Sequence, residues 1–458
     1  MAGLTPSNRA RATWDYVRTS LWFLPALMVA AGAALAVFML RVDAGAGGED
    51  AVRAWWMNAG DGDDARNLLS TLLTATISMA SMVFSVTVVA LTLAANQYGP
   101  RLVRIFRANL RNQATLGCFA ATIVYLLLVL RSVHAKAPLH EVPHAAVTVG
   151  TFLSLVCVLA LLAFIQGVAR SIVADEVVDR VAGDLDRIIL PMPLLSEEAA
   201  PAHPSGGDLP AGFAERARRV ALRRDGYVQA VDHADMVRWA ERHDAVVTLN
   251  FRAGDHVVAG DTRLLVDTGG RPPDPRAEGE LRDLVVIGRE RTPIQDIEFP
   301  LRHLVEIAVR ALSPGTNDPF TAVAVVDRLR GSLTRAMERR LPPEVYRGRD
   351  GRVRLVTQAT TYEGIVDAAF NQIRQAGKSM PAVVIHMLEA IARIAERAPL
   401  AEQRAVLARH ARMVAEAGLR ESREPSDRAD IERSWRRARE ASGDDPDAPA
   451  GRDAAPPG

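Results

Sequence analysis

Four long uncharged runs crowd the first 174 residues, polarity rises abruptly beyond Arg170, and short β-branched runs then alternate with turn residues and helical stripes. This pattern predicts a membrane α-helical protein of four transmembrane helices, followed by a cytoplasmic α/β (α+β) domain with a small β-rich subunit. The expected segmentation is a four-span domain over 1–174, a connecting helix and Pro/Gly-rich linker over 175–215, the cytoplasmic domain over 216–440, and a disordered tail over 441–458.

The first run, Leu21 to Leu40, carries no charge for about twenty residues, enough to cross roughly 30 Å of hydrocarbon at 1.5 Å per residue. A signal peptide is the competing reading, because Arg9, Arg11 and Arg18 precede the run. The run is too long for one, and no small-residue cleavage site leads into a soluble sequence. The remaining spans are expected at 69–96, 114–132 and 147–169.

Orientation follows from Lys and Arg in the short connections. Arg101, Arg104, Arg107 and Arg111 fill the second connection without an acid among them, whereas the first mixes its arginines with Glu49, Asp50, Asp61, Asp63 and Asp64. Both termini are therefore expected on the cytoplasmic side. Trp14, Trp22, Trp55 and Trp56 stand where amphipathic rings anchor at headgroups, and equally where they would simply pack.

The second span carries hydroxyls at Thr71, Ser78, Ser85 and Thr92, seven residues apart, with Thr74 and Ser81 between them. One helix face is thus hydroxylated. Such a face serves either as a tight helix–helix seam or as a pore lining that offers oxygens to an ion. None of the four apolar cores holds Asp, Glu, Lys, Arg or His, which disfavours transport coupled to a buried charge. Cys118 and Cys157 read as small buried apolar residues, with no disulfide expected. His134, Glu141, His140 and His144 cluster in the third connection, but Pro138 and Pro143 interrupt any helix that would align them on a metal. No metal and no cofactor are expected.

Beyond the spans, DEVVDRVAGDLDRIIL is helical and Pro191 to Phe213 is a linker. GYVQAVD and AVVTLNF read as strands around a helical ADMVRWAER, and Gly254-Asp255 with Gly260-Asp261 place turns in a small barrel or sandwich. The spacing is that of a swinging-arm carrier domain, yet no lysine stands between the strands to accept biotin or lipoate. Between Val286 and Leu329, a helix from Leu301 to Leu312 is stopped by Ser313-Pro314-Gly315, and Asp318-Pro319 opens the next as N-cap and N1. A glycine-containing loop against a helix start also presents amides to an anion. Arg310, Ser313, Gly315, Asn317 and Asp318 are the candidates for such a site, with Arg291 and Arg302 as further cations. Helices near Glu363 to Gln375, Pro381 to Arg397 and Ala401 to Gly418 are expected to cover the sheet, with a fourth over Ser426 to Glu440.

The 55 basic and 54 acidic side chains leave a charge of +1, which excludes a basic nucleic-acid binder. The bases are almost all arginine, in an alanine-rich background, and no chemistry is drawn from them. No HExxH, GxSxG, P-loop or CxxC signature is present, and no catalytic residue is assigned. His303, Glu298 and Asp296 are near enough in sequence to form an acid–base group.

Two strings, SMVFSVTVVALTLAANQYGPRL at Ser81 to Leu102 and RALSPGTNDPFTA at Arg310 to Ala322, resemble a family of predicted bacterial membrane proteins, domain-of-unknown-function family 2254. The resemblance extends over roughly Ser20 to Glu440 and includes YEGIVDAAFNQIRQ at Tyr362 to Gln375. It implies four spans and a cytoplasmic domain in a bacterial inner membrane, and brings no activity, ligand or catalytic residue with it. The expected partners are the lipid bilayer and further copies of the chain, with no nucleic acid. Two functions compete, an oligomeric pore or channel-like protein gated from its cytoplasmic domain and a membrane-anchored sensor or scaffold that conducts nothing, with a membrane-bound enzyme ranked third.

Overall fold

The computed structural model describes residues 22–45, 60–98, 110–135, 137, 141–171, 174–195, 209–270 and 274–444. Arg101, Arg104 and Arg107 of the second connection, Trp14, Trp55, Trp56, Lys136, His140 and the tail from 445 lie outside them, as does most of the linker. The chain divides into two units near Glu176, each with its own core.

Among the described residues the first unit contains four helices: α1 (Phe23–Gly45), α2 (Gly62–Tyr98), α3 (Leu110–Ser132) and α4 (His144–Ser171). All four are long and apolar enough to cross a membrane. Each starts earlier or ends later than its uncharged run, because charged residues at the ends continue the helix and find partners there. Helix α3 packs against each of the other three, and α1 and α2 each also contact α4. The apolar core gathers Leu69, Tyr125, Leu126, Val129 and Val147.

One end of this bundle is tied by polar contacts. Arg66 donates to the carbonyl of Val133 at 2.8 Å. The buried Tyr125 hydroxyl donates to the carbonyl of Ala146 at 2.9 Å, and the N–H of Gly62 to that of Ala137. The carboxylate of Asp43 receives the Ala145 and Ala146 N–H groups at the start of α4. Orphan helix-end groups are thereby satisfied within the bundle.

The second unit opens with α5 (Ala174–Ile189), as its alternating acidic and apolar residues predict. After a short helix α6 (Phe213–Arg216), eight strands and two helices form the β-rich part: β1 (Arg218–Val220), β2 (Gly226–Val231), α7 (His233–Arg242), β3 (Val246–Leu249), β4 (His256–Val257), β5 (Leu264–Asp267), α8 (Pro275–Asp283), β6 (Val285–Gly288), then β7 (Val345–Arg347) and β8 (Val353–Thr357). One sheet has the order β1-β5-β3-β8-β7, the other β4-β2-β6. All pairings are antiparallel except β3 with β8, which run parallel with Val247 opposite Leu355. Val220, Val228, Val247, Val257, Val266 and Leu355 from both sheets share a single core with Trp239. The arrangement is a small sandwich.

The remaining helices are α9 (Glu298–Ala311), α10 (Pro319–Met337), α11 (Tyr362–Gly377), α12 (Pro381–Ala395), α13 (Ala401–Glu421) and α14 (Pro425–Ser442). Here the expectation that α11 to α13 cover the sheet gives way to a helical bundle. Helix α12 packs against α10, α11, α13 and α14, while α7 lies on β3, β7 and β8. The reason is the make-up of α12: nine of its fifteen residues are buried, so it is apolar nearly all round and takes the middle of a bundle.

Helix α5 is bound to α10 in register. Asp179 pairs with Arg328. Seven residues on, Asp186 accepts from Ser332 Oγ at 2.8 Å and from both Nε and a terminal nitrogen of Arg335 at 3.1 and 2.6 Å. Both pairs join residues offset by the same interval, so the two helices run in the same direction. Beyond α5, Leu194 forms an antiparallel bridge with Arg339.

Candidate functional site

Helix α2 has two faces, both with a seven-residue period. Gly62, Leu69, Thr76, Val83 and Ala90 are buried against the rest of the bundle. Thr71, Ser78, Ser85 and Thr92 stand two residues after the last four of these, about 200° further round the helix. The hydroxyl face therefore points away from α3 and α4. Thr71, Thr74, Ser78, Ser81, Ser85 and Thr92 are all exposed in the single chain, beside the large exposed side chains of Ile77, Met82, Phe84, Val88 and Val89.

Four of these hydroxyls donate to the carbonyl four residues earlier: Thr71 to Asn67, Thr74 to Ser70, Ser78 to Thr74 and Thr92 to Val88, at 2.8 to 2.9 Å. Their protons are used within the helix. Their oxygens keep lone pairs on the outer face, which makes the stripe one of acceptors with little bulk. The helix can thus be approached closely along this face, or present oxygens to a cation.

In the second unit, the loop between α9 and α10 closes on itself. The N–H groups of Thr316 and Asn317 both donate to the Ser313 carbonyl, and that of Asp318 to Ala311. Ser313 Oγ donates to the Arg310 carbonyl. Asn317 holds the left-handed backbone at φ 47°, which its short amide side chain tolerates. Asp318 caps α10: one oxygen accepts from the Thr321 N–H at 3.1 Å and the other from its hydroxyl at 2.5 Å. Arg310 lies 3.9 Å from Glu306 on its own helix. An anion at this loop would have to take amides now given to the loop's own carbonyls.

The densest buried charge surrounds the start of α9. Glu298 is bracketed by Arg252 at 2.5 Å and Arg302 at 2.8 Å. Asp296 accepts from Arg291 Nε at 2.6 Å and from the N–H of Phe299, in the first turn of α9, at 3.2 Å. Burial pushes the Asp296 carboxyl above its ordinary value, Arg291 pulls it back, and Glu298 adds to the rise. The third residue of the candidate acid–base group, His303, packs its ring against Phe299 with centroids 4.3 Å apart.

Sequence spacing brought these three together but missed Arg252, which arrives from the loop after β3 and also reaches Thr360 beyond β8. The parallel pairing of β3 with β8 puts both loops at one end of the sheet. Gly254 was legible only as a turn. At its φ of +96°, an added Cβ would meet Asp296 Oδ2 at 2.2 Å. The site is a closed ion network, in which each carboxylate already has a guanidinium.

Among the described residues no group of three or more His, Cys, Asp or Glu side chains is arranged to hold a metal.

Four apolar helices followed in the chain by a mixed helix-and-sheet unit define a membrane protein of four candidate spans. The family described as "Predicted membrane protein (DUF2254)" matches residues 18–393, and the chain belongs to that family. It is 30% identical over 432 residues to an uncharacterized protein of Mycobacterium tuberculosis (strain CDC 1551 / Oshkosh), covering 92% of this chain and 80% of the relative. An uncharacterized protein of Mycobacterium bovis shows the same identity and coverage. No solved structure matches the chain.

Proposed function

We propose that the protein is an oligomeric, pore- or channel-like protein of the bacterial inner membrane, with α2 at the contact or conduction axis and the second unit as its assembly and gating platform. One observation carries this reading: the hydroxyl face of α2 lies opposite the face buried in its own bundle. In a lone chain six hydroxyls would face lipid over three heptads, about six helical turns. Gathering copies around that face gives the oxygens either a packed neighbour or water, and the heptad spacing suits helices wound about a common axis. Both termini are taken as cytoplasmic, on the strength of the all-basic Arg101 to Arg111 connection.

A second reading, a non-conducting sensor or scaffold, is favoured by the back-bonding of Thr71, Thr74, Ser78 and Thr92. A hydroxyl whose proton is already placed is well suited to a dry seam. The two readings separate on reconstitution. Full-length protein in liposomes should be oligomeric and conduct under voltage or tension, and cysteine placed at Ser78, Ser85 or Thr92 should react with small hydrophilic thiol reagents and alter the current. A monomer without current would overturn the pore; an oligomer with three unreactive positions would make the protein a scaffold.

A further inference from the structure

Cys118 on α3 and Cys157 on α4 come from spans that the sequence places 39 residues apart, yet their sulfurs lie 3.9 Å from each other. They are the only cysteines of the chain, and both are free thiols. Cys157 is fully buried, and its S–H donates to Thr122 Oγ at 3.3 Å. The pair is set among Phe119, Phe164, Val83, Met79 and Leu161, at the junction where α2, α3 and α4 meet. Two unrelated positions thus deliver two thiols, in van der Waals contact, into one apolar pocket of side chains. A bond between them requires the sulfurs to close a further gap of about 2 Å.

We propose that Cys118 and Cys157 form a reversible dithiol–disulfide site inside the bilayer, whose oxidant is a lipid-soluble quinone. In the reaction the two S–H bonds break and one S–S bond forms. The sulfurs lose two electrons and two protons, and the quinone takes both through its carbonyl oxygens to become the quinol. The surroundings select the oxidant: an apolar site between helices admits a hydrophobic two-electron acceptor dissolved in the membrane and excludes charged disulfides and other charged oxidants from water. The product ties α3 to α4 directly behind the buried face of α2, so it fixes the surface on which that helix rests. This inference stands apart from the pore reading and requires no conductance.

The test uses the full-length protein in phosphatidylethanolamine–phosphatidylglycerol vesicles, with and without a benzoquinone bearing a decyl tail. After denaturation, polyethylene-glycol maleimide should count two thiols per chain without quinone, none with it, and two again after dithiothreitol. Cys118→Ser and Cys157→Ser should each keep their single thiol in the presence of quinone, since neither has a partner. Tetrathionate, which is charged, should leave both thiols of the vesicle-bound protein in place. Persistence of both thiols with quinone would overturn the proposal. So would a disulfide between chains seen as a dimer on a non-reducing gel, a stable quinone adduct seen by mass, or equal oxidation by tetrathionate.

Discussion

Asp43, near the end of α1, caps a helix that begins a hundred residues later: its Oδ2 receives the N–H of Ala146 at 2.9 Å, and Oδ1 that of Ala145 at 3.1 Å. The first turn of α4 has no carbonyl of its own to satisfy these donors, and a carboxylate also answers the positive end of the helix dipole. Replacement by Asn keeps one acceptor oxygen, and Ala keeps none. Asp43→Ala is expected to destabilise the bundle by about 0.5–2 kcal/mol, with Asp43→Asn less than half as harmful. Thermal unfolding in detergent checks this, and equal melting of Asp43→Ala and the parent chain would refute it.

Gly254 is held at φ +96°, and the carboxylate of Asp296 fills the space where a side chain would begin. Gly254→Ala must move both Asp296 and Arg291 while adopting a backbone that L-residues avoid. A loss of about 2 kcal/mol is expected. Gly260 supplies the control, since it has a similar φ of +88° with nothing near its missing Cβ. Gly260→Ala should show backbone strain alone and lose less stability in the same melting experiment.

His233 opens α7 with its ring stacked on Tyr346, whose hydroxyl lies 3.3 Å from Nδ1. Burial pushes the imidazole down to about 4 from an ordinary 6.5. Above pH 6.5 the ring is neutral in both folded and unfolded chains and contributes no pH dependence. Between 6.5 and 4 the unfolded chain binds a proton that the native state refuses, so stability falls as the pH falls. The loss amounts to about 2 kcal/mol by pH 4, after allowing for the part of the ring that water reaches. Denaturant melts of the parent and His233→Gln across this window should diverge, the variant being flatter; parallel curves would dismiss the assignment.

At the start of α10, Asp318 accepts from both the amide and the hydroxyl of Thr321. Asp318→Asn is expected to be nearly neutral and Asp318→Ala to lose about 0.5–2 kcal/mol. If the loop binds an anion in addition, phosphate should raise the melting temperature of the full-length protein in proportion to its concentration, and Arg310→Ala should weaken that rise. A melting temperature indifferent to phosphate leaves Asp318 as a cap.

These residues differ in how far the sequence alone could reveal them, and the difference is one of range. The Asp318-Pro319 start is a local rule, read from neighbouring residues, and the helix indeed begins at Pro319. The hydroxyl period of α2 is equally local. Its meaning depends on the opposite face, where Gly62, Leu69, Thr76, Val83 and Ala90 share a spacing but no chemistry, and only packing identifies them as the buried side. The Asp43 cap, the Arg252–Glu298 pair and the β3–β8 register each join segments tens of residues or more apart, and no spacing rule spans such distances. The placement of α11 to α13 went astray for a related reason: an apolar stripe says that a helix is covered, and not by what.

The co-directional pairing of α5 with α10 sets how α5 resists a force along its own axis. Such a force strains Asp179–Arg328 and Asp186–Arg335 side by side in shear. Were the helices antiparallel partners of a hairpin, the same pull would peel the contacts apart one after another. Shear makes their resistances add, so the two ion pairs hold α5 together rather than in turn.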